Sequence, residues 1–294
     1  MPCFHPLKAI RSSDGVKILP SDAALFNLRI PCGQCIGCRL ERSRQWAVRC
    51  MHEASRYDVN SFVTLTYDDM HLPMDRSLDY THFQLFMKRL RKMRSGQKVR
   101  FYMCGEYGET YERPHYHAIL FNVDWADKQT FTVRQGVHLY TSGELDRLWP
   151  YGFATVGDVT FESCAYVARY VMKKVTGKAS DDHYRMVDTS SGELFDRTPE
   201  FNRMSLKPGI GGNWFSRFHT DVFPHDYVVS RGTKCKPPRY YDKLYHRLDA
   251  EMADKIKEKR VLDNKDNWED NTRTRLEVKE KVTKARISQL KRSI

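Results

Sequence analysis

Apolar residues recur along the chain at every second position in some stretches and at every third or fourth in others. This alternation predicts most of its elements. Phe62-Val63-Thr64-Leu65-Thr66-Tyr67 is β-branched and aromatic and predicts a strand, ended by Asp68-Asp69 and Pro73. Phe83, Phe86, Met87, Leu90 and Met93 fall at helical spacing and predict an amphipathic helix over Tyr80 to Met93. Its outer face carries Lys88, Arg89, Arg91 and Lys92, and Gly96 closes it. Val99 to Cys104 reads as a second strand, and Gly105-Glu106-Tyr107-Gly108 as the start of a loop. The run from Arg113 to Phe121 gives a third strand, which would form a hairpin with the second. A short helix around Gly143 to Trp149, a strand over Phe153 to Val159 and a helix over Ser163 to Lys174 follow.

The order strand, helix, strand, strand, helix, strand fits an α+β sandwich of ferredoxin-like type, an antiparallel sheet backed by helices. Ahead of it, Arg39 to Tyr57 is helical and basic, with Trp46, Val48 (or Ala47), Met51 and Ala54 able to face inward. Behind it the pattern fades: 179–198 is polar and expected to be a loop or small insertion, and Met204 to Trp214, rich in Gly and Pro, an ordered turn region. Lys234 to Tyr241 is basic and aromatic, either a single-strand contact or a linker. Beyond Asp242 the apolar spacing is sparse (Leu244, Leu248, Met252, Ile256), which predicts a helix followed by a mobile basic tail. The expected division is a Cys-rich arm and basic helix over 1–60, a core over 61–178, a loop-rich extension over 179–241 and a charged helical tail over 242–294.

Charge narrows the partner. Among 294 residues, 49 Lys and Arg against 37 Asp and Glu give a net +12, which in a folded chain with 12% aromatics points to a polyanion, nucleic acid first. No apolar run approaches the roughly 20 residues needed to span a bilayer, and Met1-Pro2-Cys3-Phe4-His5 lacks the layout of a signal peptide. The expected compartment is the cytosol, where eight cysteines are free thiols or ligands rather than disulfides.

Three constellations carry candidate chemistry. His115 and His117 alternate with an apolar-type position on a strand, so both imidazoles project from one face, roughly 7 Å apart at Cα, and can converge on one divalent ion. Glu106 would complete a His-His-Glu set with open coordination positions; Glu109 and Glu112 lie in the same loop and could substitute. Tyr166 and Tyr170 are one turn apart on a helix, with Lys173 and Lys174 a turn further; two tyrosines at this spacing can also be ordinary core residues. Cys32, Cys35 and Cys38 at two-residue gaps suggest soft-metal binding, zinc first, with Cys3 as fourth ligand ahead of His5 and Cys50; an iron–sulfur pattern is the alternative, without its usual Cys-Pro ending.

The His-Tyr-His strand and the paired-tyrosine helix resemble the HUH (His-hydrophobe-His) superfamily of rolling-circle replication initiators. Phe62 to Tyr67 is similar to that superfamily's first motif, and Glu106 stands nine positions before His115 (115 − 106 = 9), as in related single-stranded DNA virus initiators. Pro31 to Arg39, Phe201 to Gly209 and the overall length resemble the initiators of gokushovirus-type microviruses, with the likeness weakening over the last fifty or so residues. The resemblance implies the ferredoxin-like HUH core and a site- and strand-specific nickase of single-stranded or supercoiled origin DNA. Glu106, His115 and His117 would hold Mg²⁺ or Mn²⁺, and Tyr166 or Tyr170 would attack phosphorus, aided by Lys173 or Lys174. Arg39, Arg42, Lys88, Arg91 and Arg169 are candidate DNA contacts. Host helicase and polymerase are the implied partners, and the cytoplasm of the infected bacterium the implied location. Two rival classes remain: a non-catalytic basic nucleic-acid-binding protein and a metal-dependent hydrolytic nuclease.

Overall fold

A computed structural model describes residues 3–108, 111–134, 136–170, 174–175, 179–187, 192–265 and 269–289, without the side chains of Arg134, Tyr170, Ala179 and Lys265. The chain forms two compact units, Met1–Gln45 with Val222–Ser293, and Trp46–Asp221. No described helix is long and apolar enough to cross a membrane.

The first unit joins the two ends of the chain. Strands β1 (Leu7–Ser12), β2 (Gly15–Ile18) and β3 (Leu28–Ile30) make a small antiparallel sheet in the order β2-β1-β3. The N-terminal half of α1 (Ile36–Ala54) follows, and its C-terminal half, from Trp46, belongs to the second unit.

The second unit continues with β4 (Asn60–Thr66), α2 (Tyr80–Met93), β5 (Arg100–Tyr107), β6 (Pro114–Phe121), β7 (Gln129–Arg134), β8 (Val137–Thr141), α3 (Gly143–Leu148), β9 (Ala154–Gly157) and α4 (Phe161–Tyr170). Next come α5 (Ala179–Tyr184), the hairpin β10 (Arg185–Val187) and β11 (Leu194–Asp196), β12 (Phe201–Met204) and α6 (Gly212–Val222). Among the described residues, seven strands form one sheet in the order β12-β5-β6-β4-β9-β8-β7, with every recorded pairing antiparallel.

Helices cover both faces of this sheet. Alternate residues Val63, Leu65, Phe101, Met103, Tyr116, Ala118 and Leu120 pack against Phe83, Phe86, Met87 and Leu90 of α2 and Leu145 and Leu148 of α3. Their neighbours Phe62, Tyr102, Cys104, Ile119 and Phe121 pack against Ala47, Cys50 and Ala54 of α1 and Cys164, Val167 and Ala168 of α4. Helices on both sides explain why β4, β5 and β6 are buried almost continuously rather than at alternate positions. Glu53 and Arg100 are buried within this unit as an ion pair, with Arg100 Nε 2.6 Å from Glu53 Oε1. The same carboxylate accepts the Gly211 N–H at 2.7 Å, which ties the Gly- and Pro-rich turn after β12 to α1.

At the other end of the chain β13 (Val228–Ser230) and β14 (Thr233–Cys235) pair, followed by α7 (Arg239–Leu248), α8 (Ala250–Lys265) and α9 (Arg273–Gln289). The expected mobile tail is instead helical through Gln289 within the described residues, and Ile256 and Leu276 are buried. Phe223 stacks on Tyr245 at 4.3 Å, Arg260 bridges Asp226 and Asp242, and His5 meets Glu280 at 2.7 Å.

Candidate metal and nucleophile site

The register of the β5–β6 hairpin builds the site. Glu106 lies directly opposite His115, and Cys104 opposite His117. Because successive side chains alternate faces, Glu106, His115 and His117 all project from the face that α1 and α4 cover. Glu106 Oε1 sits 2.7 Å from His115 Nε2 and 2.9 Å from His117 Nε2. Glu106 is therefore a strand residue, not the loop residue its flanking glycines suggested, and strand pairing alone brings it to the histidines.

The second nitrogen of each imidazole fixes how the ring is turned. His115 Nδ1 lies 3.0 Å from the Arg113 carbonyl, an acceptor only. A neutral imidazole has one N–H, so with a carbonyl on one side and a carboxylate on the other one of the two contacts needs a further proton or a cation to be satisfied. His117 Nδ1 lies 2.9 Å from Oγ1 of Thr64, its cross-strand partner on β4. Arg113 is anchored in turn by Asp69 and by a 3.0 Å hydrogen bond to the Tyr67 carbonyl. Burial opposes ionisation of Glu106, yet the hydrogen bonds and charge of His115 and His117 outweigh it and hold the carboxyl below the ordinary carboxylate range. The side chains of Glu106 and His117 are 2% and 6% exposed and that of His115 is 16%, so the site opens on the His115 side.

These ligand atoms all lie within 4.8 Å of one another and can hold a metal ion. Two imidazole nitrogens with one carboxylate suit a divalent cation that keeps open positions.

Tyr166, on α4, meets this group edge-on. Its ring centroid is 5.1 Å from that of His117 and 6.2 Å from that of Phe62. Tyr170 ends α4 and its side chain lies outside the described residues, as do Lys173 and Glu109; Lys174 is half-buried just beyond the helix. Glu112, the alternative ligand, pairs with Arg197 at 2.7 Å. Thr64 and Arg113 are site residues that sequence reasoning left without a role. The signal for Thr64 was its place on the strand that pairs with the histidines.

Of the candidate DNA contacts, Arg169 is exposed on α4 itself. Lys88 and Arg91 are exposed on α2, which covers the sheet face opposite the histidines. Arg39 is half-buried and Arg42 exposed in the α1 half that belongs to the first unit. Two other basic residues of α1 are engaged within the protein: Arg44 holds Glu41 at 2.6 Å, and Arg49 donates to the Ile210 carbonyl at 2.9 Å while lying 3.9 Å over Trp46.

A second group in the first unit can also hold a metal: Cys3, Cys32, Cys35 and Cys38, with all sulfurs within 4.8 Å of one another. Cys3, rather than His5 or Cys50, stands beside the other three. Cys3 and Cys32 sulfurs are 3.5 Å apart, and Cys35 and Cys3 sulfurs 3.9 Å. A tetrahedron with metal–sulfur bonds of about 2.3 Å has edges of about 3.8 Å. Backbone amides point at the sulfurs: Phe4 N–H donates to Cys35 at 3.3 Å, Cys32 N–H to Cys3 at 3.2 Å and Cys35 N–H to Cys32 at 3.3 Å. Burial works against ionisation of Cys35, but the amides of Cys38 and Phe4 and the neighbouring thiols outweigh it and pull the thiol down to about 6. Cys3 and Cys38 shift the other way, pushed up chiefly by burial, so the charge of the group sits on Cys35 until a cation displaces the remaining protons.

The model of the replication-associated protein ORF2/G2P family matches residues 60–175. The replication-associated protein VP4 of Bdellovibrio phage phiMH2K is 36% identical over 263 residues, covering 85% of this chain and 79% of that protein. The chain belongs to the phage replication-associated proteins. Two further members align with it: ORF2 of Spiroplasma virus 4, 33% identical over 88% of this chain and 86% of that one, and ORF4 of Chlamydia phage 1, 32% identical over 78% and 56%. No solved structure matches the chain. The family match contains β4 to β6 and α4, and so Thr64, Glu106, His115, His117 and Tyr166 of this replication-associated protein.

Proposed function

We propose that this replication-associated protein is a single-stranded DNA endonuclease and strand transferase that initiates rolling-circle replication of a small circular phage genome, on a ferredoxin-like core of HUH type. The observation that carries the reading is the Tyr166 ring set 5.1 Å from the His117 ring of the Glu106–His115–His117 group. That contact puts a phenol, a nucleophile able to form a phosphodiester to DNA, beside a donor set for a divalent ion.

Mg²⁺ or Mn²⁺ bound at Glu106, His115 and His117 would polarise a non-bridging oxygen of the scissile phosphate and balance the charge that develops on it. Thr64 and the Arg113 carbonyl keep both imidazoles aimed. The Tyr166 phenol gives its proton to water and attacks phosphorus; a bond forms from its oxygen to the 5′-phosphate as the bond to the 3′-oxygen breaks, and that oxygen takes a proton from water to become a hydroxyl for the polymerase. An unperturbed phenol titrates near 10, so attack at neutral pH depends on this charge-stabilised setting. The phosphodiester energy is kept in the phosphotyrosine, so rejoining needs no ATP. Tyr170, one turn along α4, is the candidate second nucleophile for cutting the regenerated origin, and Lys173 and Lys174 candidate neutralisers of phosphate charge. Arg39, Arg42, Lys88, Arg91 and Arg169 are candidate DNA contacts. Host helicase and polymerase would complete the reaction in the bacterial cytoplasm. The four-cysteine group is read as a structural zinc site that pins the N-terminal arm.

Incubation of the full chain with single-stranded phage DNA and Mn²⁺ should give a covalent protein–DNA adduct, mapped by mass spectrometry to Tyr166 or Tyr170. Cleavage without an adduct would replace this reading with a hydrolytic nuclease. Binding without cleavage, indifferent to chelation and to His117→Ala, would replace it with a non-catalytic binding protein.

A further inference from the structure

Two phenylalanines stand in solvent where a soluble sheet ordinarily carries polar residues. Phe131 is 57% exposed and Phe153 46%, and their rings meet at 5.4 Å, tilted by 58°. They come from β7 and from the residue just before β9, non-adjacent strands brought together by the fold.

Register places them on the catalytic face. β4 pairs Thr64 with Thr155 and Leu65 with Ala154, and the same ladder continues with the Thr66 N–H donating to the Phe153 carbonyl at 2.9 Å. Thr66 pairs on its other side with His115. Ala154 is buried in the core under α2 and α3, so its neighbour Phe153 points to the opposite face, that of His115, His117 and Glu106. Two strand spacings separate Phe153 from His115, about 10 Å across the backbone. Phe131 reaches Phe153 because the β7–β8 register shifts between Thr130 and Thr132, leaving Phe131 as the extra residue; such a bulge re-aims a side chain. Gly152 fixes the approach of the segment to β4: at φ +150°, a Cβ there would fall 2.3 Å from the Asp68 nitrogen. The pair is thus held in place by the sheet rather than left on a loose loop.

We propose that Phe131 and Phe153 form a base-stacking platform for single-stranded DNA, gripping nucleotides next to the scissile phosphate. The proposal rests on the reading of the Glu106–His115–His117 face as the cutting site. The chemistry favours an unpaired strand: exposed aromatic rings offer a π-face that any unstacked base can cover, whereas a duplex keeps its bases stacked inside. The chain's net +12 supplies general attraction for the backbone, and the rings hold bases without reading sequence. A nickase must keep the bases on one side of its cut in place while the other end is released, and a platform two strands from the histidines does so.

The test uses the full chain and a 5′-fluorescein-labelled, mixed-sequence single-stranded 30-mer, with binding read by anisotropy without added Mg²⁺ or Mn²⁺ so that cutting does not enter. Phe153→Ala and Phe131→Ala are each expected to weaken binding about tenfold, and Phe153→Trp to restore it, with melting temperature unchanged. Photocrosslinking of the same oligonucleotide carrying 5-iodouracil is expected to mark the peptides containing Phe131 or Phe153. Unchanged affinity in both alanine variants, with crosslinks elsewhere, overturns the platform; so does a change of oligomeric state by light scattering without a change in DNA affinity, which would make the pair a contact between copies. The two readings fail separately. If the wild type cuts and the alanine variants bind and cut like it, the platform falls and the nickase stands. If the wild type never cuts and the variants still lose affinity, the platform stands and the nickase falls.

Discussion

Thr64 and His117 face each other across the β4–β6 ladder with Oγ1 2.9 Å from Nδ1, so a residue of β4 sets how an imidazole of β6 is turned. An outer partner of this kind fixes tautomer and aim, and its loss typically costs ten- to a hundredfold in metal affinity. Thr64→Val, nearly isosteric, is expected to weaken Mn²⁺ binding by about that factor in titration calorimetry, and Thr64→Ser to retain it. Glu106→Gln removes a charged ligand and is expected to abolish the binding heat. Equal Mn²⁺ affinity in Thr64→Val and wild type would remove Thr64 from the site.

The four cysteines make a prediction independent of catalysis. The purified chain should carry one zinc per molecule by native mass spectrometry and release it to a chelator with four thiols becoming titratable. Cys35→Ser should lose the metal and open the region of Cys3 to protease. A metal-free wild type with four reactive thiols in the folded state contradicts the assignment.

His52 gives a pH dependence that does not involve the site. Its ring stacks on Trp214 at 3.6 Å, and burial pulls its imidazole down to about 4, from 6.5 when unfolded. Between these values the unfolded chain takes up a proton that the folded chain refuses. Stability is complete above about pH 6.5 and falls as the pH drops toward 4, by about 3 kcal/mol in all. His52→Phe keeps a stacked ring without the titration, so its melting temperature should fall less between pH 7 and pH 4.5 by calorimetry. Parallel curves for the two proteins would assign the acid sensitivity elsewhere.

Glu53 and Arg100 are 0% and 4% exposed, and Arg100 also donates to the Pro208 carbonyl at 2.7 Å. Glu53→Ala strands a guanidinium in the interior and leaves the Gly211 amide without its acceptor. Urea unfolding should register a loss of about 3–5 kcal/mol. A loss under about 1 kcal/mol would mean that water or a rearranged turn takes over the carboxylate's place.

Much of the second unit was legible from periodicity. The α2 stripe of Phe83, Phe86, Met87 and Leu90 is buried as its spacing predicts, and the strand expected over Phe62 to Tyr67 spans Asn60–Thr66. The placement of Glu106 was missed because glycine carries two meanings. Gly105 looked like the start of a loop, but it lies inside β5, where an added Cβ would come within 3.1 Å of Leu78 and Phe201. There glycine serves close packing, not turning. The β7–β8 hairpin was not expected at all, although Thr130 to Val133, the turn glycine Gly136 and the run from Val137 carry strand and turn chemistry. Helices on both sheet faces could have been inferred from the unbroken apolar run Ala118 to Phe121, since a strand open to water on one side alternates. The union of the chain's two ends in one unit was not legible, because it rests on pairs such as His5–Glu280, 275 positions apart, which no local pattern encodes.

Since every side chain of the β5–β6 pair looks either toward α4 or toward α2, the arrangement has a parity. Sliding β6 by one position against β5 would turn both imidazoles into the hydrocarbon around Phe83 and Leu90 and present Tyr116 to the α4 side, while the ladder kept its hydrogen bonds. Changes of length between Gly108 and Arg113 are therefore harmless only when Glu106 still meets His115. In this protein the Glu106–His115–His117 group is specified by an even-or-odd choice of strand alignment as much as by which residues the strands carry.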